Sequence, residues 1–187
     1  MIKLTHYEQQ LVKIIKNDPY IMSSVKAVEK MNLNDAWICA GLIRNKVWDV
    51  LHHMETPVND IDVIYFDRAD TSRDIERQLE DKLRVLLPNR PWSVKNQARM
   101  HLKSGFEPFT SSYDGVAHFP ETPTSIAVRL HNGSLEIMAP YGLQDLFEMR
   151  VRPTPFFQKN SEYYPIYVER MEKKKWNEIW TNLSVEH

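Results

Sequence analysis

Asp60-Ile61-Asp62 opens the apolar run Ile61 to Phe66, and no other stretch of the chain restricts the fold so strongly. In an extended strand, residues two apart point to the same face of the sheet. Asp60 and Asp62 then stand together on one face, with Ile61, Val63 and Tyr65 on the other. Carboxylates placed side by side repel each other unless a cation lies between them. Hard divalent ions, magnesium above all, take carboxylate oxygen in this way. The spacing points to phosphoryl-type chemistry, given a third acid and a phosphate cradle.

Composition narrows the setting. A chain of 187 residues, 42% hydrophobic, suits one compact domain, or one domain with a helical appendage. With 24 Lys and Arg against 25 Asp and Glu, the net charge is -1, so contact with nucleic acid needs a local patch, and DNA is not indicated. The single Cys39 lies in an apolar run, which excludes an intrachain disulfide and predicts a buried, inert thiol. The N-terminal stretch lacks an apolar signal segment, and no stretch reaches the ~20 apolar residues of a membrane helix. The expectation is a soluble, cytoplasmic protein with no membrane partner.

Thr5 and Glu8 have capping-box spacing ahead of Leu11, Val12, Ile14 and Ile15, which predicts a first helix. Asp18 and Pro19 cap and start a second, with Ile21, Val25, Val28 and Met31 as its stripe. Trp37 to Cys39 reads as a short buried strand leading into Gly41, then a helix from Leu42 to about Met54. Asp60 to Phe66 is the first long strand. Asp70-Thr71 caps a helix carrying Ile75, Leu79, Leu83 and Leu86, which ends before Pro88. Trp92 to His101 alternates as a strand, placing Lys95 and Arg99 on one polar face. Residues 103–123 read as a loop long enough to be functional. Thr124 to Leu130 and Ser134 to Ala139 form a hairpin; a type I′ turn at Asn132-Gly133 sets Arg129 opposite Glu136. A short helix follows Tyr141-Gly142, residues 151–165 are irregular, and Val168 to Trp180 is a final charged helix.

Three acids thus fall in strands: Asp60, Asp62 and Glu136. Three carboxylates can hold two divalent ions, one activating an attacking hydroxyl and the other gripping a triphosphate. Glu136 equally suits a cross-strand pair with Arg129. Gly41, at a helix start, lets backbone approach a phosphate, with Arg44 one turn on. Lys95 and Arg99 suggest a polyanion cleft or a solvated face. His52-His53 lacks ligand spacing for zinc, and Lys173 to Lys175 reads as a solvated face. No Walker loop, nucleophile elbow or dinucleotide fingerprint is present.

The order Gly, Arg, Asp-x-Asp, then hairpin acid resembles the nucleotidyltransferase superfamily that includes DNA polymerase beta. Ala40-Gly41-Leu42-Ile43-Arg44-Asn45 resembles the Gly-Gly-x-Val-Arg-Asp signature of tRNA CCA-adding enzymes, with Ala40 in place of the first Gly and Asn45 in place of the Asp. The stretches AGLIRNKVWD, DIDVIYFD, WSVKNQARMH, PETPTSIAVRL and APYGLQDLF resemble blocks of a bacterial nucleotidyltransferase family, formerly a domain of unknown function. The resemblance implies an α/β (α+β) polymerase-beta-like fold, a mixed sheet backed by helices, with residues 1–35 a helical segment, 36–150 the core and 151–187 a C-terminal extension of the same domain. It implies two magnesium ions on Asp60, Asp62 and Glu136. Gly41 and Arg44 are then expected on the triphosphate, and Lys95, Arg99 and Arg129 as further phosphate contacts. The expected reaction moves a nucleoside monophosphate from a nucleoside triphosphate to a hydroxyl on a small molecule, protein or RNA, releasing pyrophosphate. The other readings are a nucleotide-binding or regulatory module without transfer, and an RNA-interacting protein.

Overall fold

Local signals at the N-terminus act as the sequence predicts. Thr5 accepts the Glu8 N–H while the Glu8 carboxylate accepts the Thr5 N–H, and this capping box starts α1 (His6–Lys16). Asp18 caps α2 (Pro19–Lys30) by accepting the Ile21 N–H. The computed structural model describes residues 4–186. Its centre is a five-stranded mixed sheet of β1 (Trp37–Cys39), β2 (Ile61–Tyr65), β3 (Trp92–Asn96), β4 (Ala127–His131) and β5 (Ser134–Met138), in the order β3-β2-β1-β4-β5. β2 and β3 are parallel and the other neighbours antiparallel.

The two sheet faces differ, as strand alternation requires. Ile61, Val63, Tyr65, Ile38, Val94 and Val128 join the main core, with residues of α1, α2, α3 (Gly41–His52) and α4 (Arg73–Leu86). Opposite them, Trp37, Cys39, Ile64, Ala127 and Met138 form a smaller cluster with Val116 of α6 (Ser112–Ala117). Asp62 lies on this second face, which the helices cover less completely. The β4–β5 hairpin turns at Asn132 (φ 50°) and Gly133 (φ 75°), and its register sets Arg129 opposite Glu136 and Leu130 opposite Leu135.

Several sequence expectations change: Ser72, not Asp70-Thr71, caps α4, and β4 begins at Ala127 after a single helical turn over Thr122–Thr124. The strand over Trp92 to His101 ends at Asn96, and α5 (Gln97–Ser104) begins there. Asn96 caps α5 by accepting the Ala98 N–H at 3.1 Å, while its own N–H donates to Glu76 Oε1 of α4 at 2.7 Å. Residues 103–123, read as loop, contain α6, capped by Ser111. The final helix starts earlier and is broken: α8 (Tyr164–Lys174) stops at Lys175, whose φ of 47° is left-handed, before the single turn of α9 (Trp176–Ile179). A short helix α7 (Gln144–Phe147) and a two-stranded ladder of β6 (Arg150–Val151) and β7 (Ser184–Val185) complete the chain. Among the described residues, no helix is long and apolar enough to cross a membrane.

Candidate active site

The site is built where β1 turns into α3. Ala40 donates its N–H to Ile126 O at 2.9 Å, and its carbonyl accepts from Ile43 and Arg44 at 3.2 and 3.0 Å. To do both, Ala40 adopts φ 58°, ψ -122°, a conformation that suits glycine and not an L-residue. The first N–H groups of α3, those of Gly41 and Leu42, have no helical carbonyl to bind and stand at the positive end of a 12-residue helix. A methyl group at Gly41 would lie 3.8 Å from Asp60 Oδ1 and 3.7 Å from Arg44 Nη2. Acid, helix terminus and guanidinium therefore converge on one spot. Asp60 directly precedes β2, while Asp62 inside it is level with Cys39 of β1 and Ser93 of β3.

Burial and the negative charge of Asp60 push the Asp62 carboxyl above the ordinary carboxylate range; a Ser93 hydrogen bond and the charges of Lys95 and Arg44 act against this. Such a pair gains from a positive charge placed between its members. Arg44 is buried, with its Nη2 beside Gly41 and Asp60. Its Nη1 donates to Thr124 Oγ1 at 2.8 Å and its Nη2 to Asn45 Oδ1 at 2.8 Å, and the guanidinium lies 4.0 Å from the Trp176 ring centre. Burial lowers its pKa to about 10, while the carboxylate of Glu121 holds it up, so Arg44 is cationic at neutral pH. Glu121, 0% exposed, pairs with Arg170 of α8 at 2.5 Å. Burial, then the charges of Asp62 and Asp60, raise the Cys39 thiol well above its usual range, which leaves it un-ionised.

Two cavities flank the acids. One, about 530 Å³, lies beside Asp60 and is lined by Gly41, Arg44, Asn45, Lys174 and Trp176 among others. The second, about 330 Å³, lies beside Asp62 and Ala40 and includes Lys95, Gln97, Phe109 and Arg170 in its wall.

The remaining predicted residues are dispersed. Lys95 of β3 stays on the Asp62 side of the sheet, with its Nζ 3.9 Å from Glu80. Arg99 is carried away by α5 and holds Glu76 through two hydrogen bonds of 2.8 and 2.5 Å. Glu136 is not brought to Asp60 and Asp62. The antiparallel register places it level with Arg129 and Trp37, three strands from β2, roughly 14 Å across the sheet. There it accepts from Arg129 Nε at 2.6 Å, and the Arg129 guanidinium lies 4.2 Å from the Trp37 ring centre. Among the described residues, no three His, Cys, Asp or Glu side chains are grouped closely enough to hold one metal ion. The sequence placed Ser93 and Gln97 on the polar face of the expected strand with Lys95 and Arg99, and gave no role to Glu121, Thr124 and Arg170. The only signal for Glu121 was a carboxylate inside an otherwise apolar and hydroxyl-rich block.

The sequence profile of a nucleotidyltransferase family matches residues 26–185, nearly the whole chain. The protein belongs to this family. The match spans β1, the α3 N-terminus and the paired acids, so nucleotidyl transfer is the activity class of this enzyme. No curated protein sequence matches it. A structure solved by NMR and described as a CCA-adding enzyme head domain superposes with a TM-score of 0.84 at 35% identity, covering 96% of this chain and 95% of that one. A CCA-adding enzyme in complex with CTP superposes at 0.59 with 12% identity, over 97% of this chain and 43% of that one. An apo form of a CCA-adding enzyme gives 0.58 at 13% identity, over 96% and 42%. The likeness to these two larger chains is one of fold, the polymerase-beta-like mixed sheet backed by helices.

Proposed function

We propose that this enzyme transfers a nucleoside monophosphate from a nucleoside triphosphate to a hydroxyl acceptor and releases pyrophosphate. A bond forms between the acceptor oxygen and the α-phosphorus, the bond to the bridging oxygen of the β-phosphate breaks, and the hydroxyl proton passes to solvent. The observation that carries this reading is the convergence of the Asp60 carboxylate, the α3 N-terminus at Gly41 and the Arg44 guanidinium within 4 Å of one point.

The donor set fits magnesium, because that ion is commonly held by one or two carboxylates together with substrate phosphate oxygens. Asp60 and Asp62 would hold it, and when bound it supplies neutralisation of phosphate charge and activation of the hydroxyl. The protein's own groups do the rest. The free N–H groups of Gly41 and Leu42 bind triphosphate oxygens. Arg44, fixed by Thr124, Asn45 and Trp176, holds a positive charge under that end of the site without reorienting during transfer. Lys95 adds a second charge on the Asp62 side.

Thermal unfolding with each ribonucleoside triphosphate, with and without magnesium, tests the reading in the wild type and in Asp62→Asn. Ligand at 100-fold above Kd stabilises the fold by about 2.7 kcal/mol. A magnesium-dependent shift absent from Asp62→Asn is expected, followed by pyrophosphate release across acceptors that include RNA 3′ ends. No shift with any nucleotide refutes it, and binding without pyrophosphate release indicates a nucleotide-binding module instead.

A further inference from the structure

The cavity beside Asp62 contains a polar group that phosphate transfer does not use. Gln97, the first residue of α5, is 2% exposed. It lines the cavity with Met100 and Lys103, which follow at helical spacing on the same face of α5. Its place is set by Gly115 of α6, where a methyl group would fall 2.3 Å from Gln97 Oε1. A side chain at Gly115 would thus displace the amide, whose Oε1 lies nearest this glycine.

The surrounding wall is aromatic. Phe106, Phe109, His118, Phe119 and Phe157 line the same cavity. His118 is held rigidly, with its ring stacked on Phe156 at 3.7 Å and its Nδ1 2.8 Å from the Asp114 carbonyl. Lys95 and Lys103 supply positive charge around it, while Arg170 is paired with Glu121. A ligand edge that pairs with the amide gains hydrogen bonds at a site walled by aromatic rings. The amide presents a donor and an acceptor side by side. Its complement is a flat ring edge with an adjacent acceptor and donor, as glutamine finds on adenine. A flat ring also suits aromatic walls.

We propose that this cavity is the nucleobase site of the donor nucleoside triphosphate, and that Gln97 pairs with the hydrogen-bonding edge of the base. The inference rests on the transfer reading above, because a base seated here directs its α-phosphate to Asp62. Gln97 is a binding and specificity residue. It has no part in the bond-making step.

Calorimetric titration of the full chain with magnesium tests both layers, using inorganic tripolyphosphate and non-hydrolysable analogues of the four ribonucleoside triphosphates. The wild type is expected to bind one or two of the analogues more tightly than tripolyphosphate. Gln97→Met, which fills the space without hydrogen bonds, is expected to lose about tenfold in affinity for those analogues and to bind tripolyphosphate unchanged. Gly115→Ala, which displaces the amide, should reproduce that pattern. Circular dichroism and unchanged tripolyphosphate binding report that each variant is folded. Wild-type analogue affinities in Gln97→Met overturn the base assignment and leave the transfer reading standing. Failure of the wild type to bind tripolyphosphate and all four analogues removes both.

Discussion

Replacing Ala40 with glycine should stabilise the protein, against the usual direction for such a change. Ala40 is held at φ 58°, ψ -122° by three backbone hydrogen bonds, one to Ile126 and two from Ile43 and Arg44. An L-residue in so sparsely populated a region is strained by about 1–3 kcal/mol. Glycine removes that strain but adds unfolded-state freedom worth about 0.4–1 kcal/mol. It also gives up part of one methyl contact, since Ala40 packs partly buried against the smaller core cluster, a loss of at most about 0.8 kcal/mol. Central values leave a gain near 1 kcal/mol, or about 2–4 °C in Tm for a domain of this size. Ala40→Val sets the opposite limit, because a β-branched side chain tolerates positive φ worst, and it should destabilise clearly. Thermal and urea unfolding monitored by circular dichroism measure both. A lower Tm for Ala40→Gly than for the wild type would refute the strain argument. It would mean that alanine at the β1–α3 turn is favourable in its own right.

Asp62→Asn should abolish nucleotidyl transfer while leaving the metal-free protein as stable or more so, because burial and the Asp60 charge both disfavour its carboxylate; unfolding in chelator and pyrophosphate release check the two parts. Glu136→Gln should lower stability by at most about 1 kcal/mol and leave transfer at wild-type rates, since it removes only a partly exposed cross-strand pair. A large loss of activity there would put Glu136 back in the chemistry. Glu121→Gln should destabilise by about 3 kcal/mol, because it leaves Arg44 and Arg170 without the buried carboxylate they face. Combining it with Arg170→Met should restore part of that loss, and a double-mutant cycle on unfolding free energies reads the coupling.

What the sequence alone determined lies within a few residues of its signal. The Thr5–Glu8 capping box, the Asp18-Pro19 helix start and the Asn132-Gly133 hairpin register are local geometry, and each is found as read. The place of Asp62 within β2 follows from the apolar strand run, and the nearness of Asp60 to Gly41 from the turns that bring the ends of β1 and β2 together. Tertiary structure decided the rest, where the deciding partner is distant in sequence. The period-two pattern through Lys95 and Arg99 broke because Glu76, from another helix, takes the Asn96 N–H and then the Arg99 guanidinium. Glu136 had the right residue type and a correct register with Arg129, but its distance from Asp62 depends on β1 and β4 lying between them. Strand order is a property of the assembled sheet and leaves no periodicity to read. Gln97 appeared as one more polar residue of a strand. Only the packing of α5 on α6, with Gly115 making room, brings it into the wall of the cavity beside Asp62.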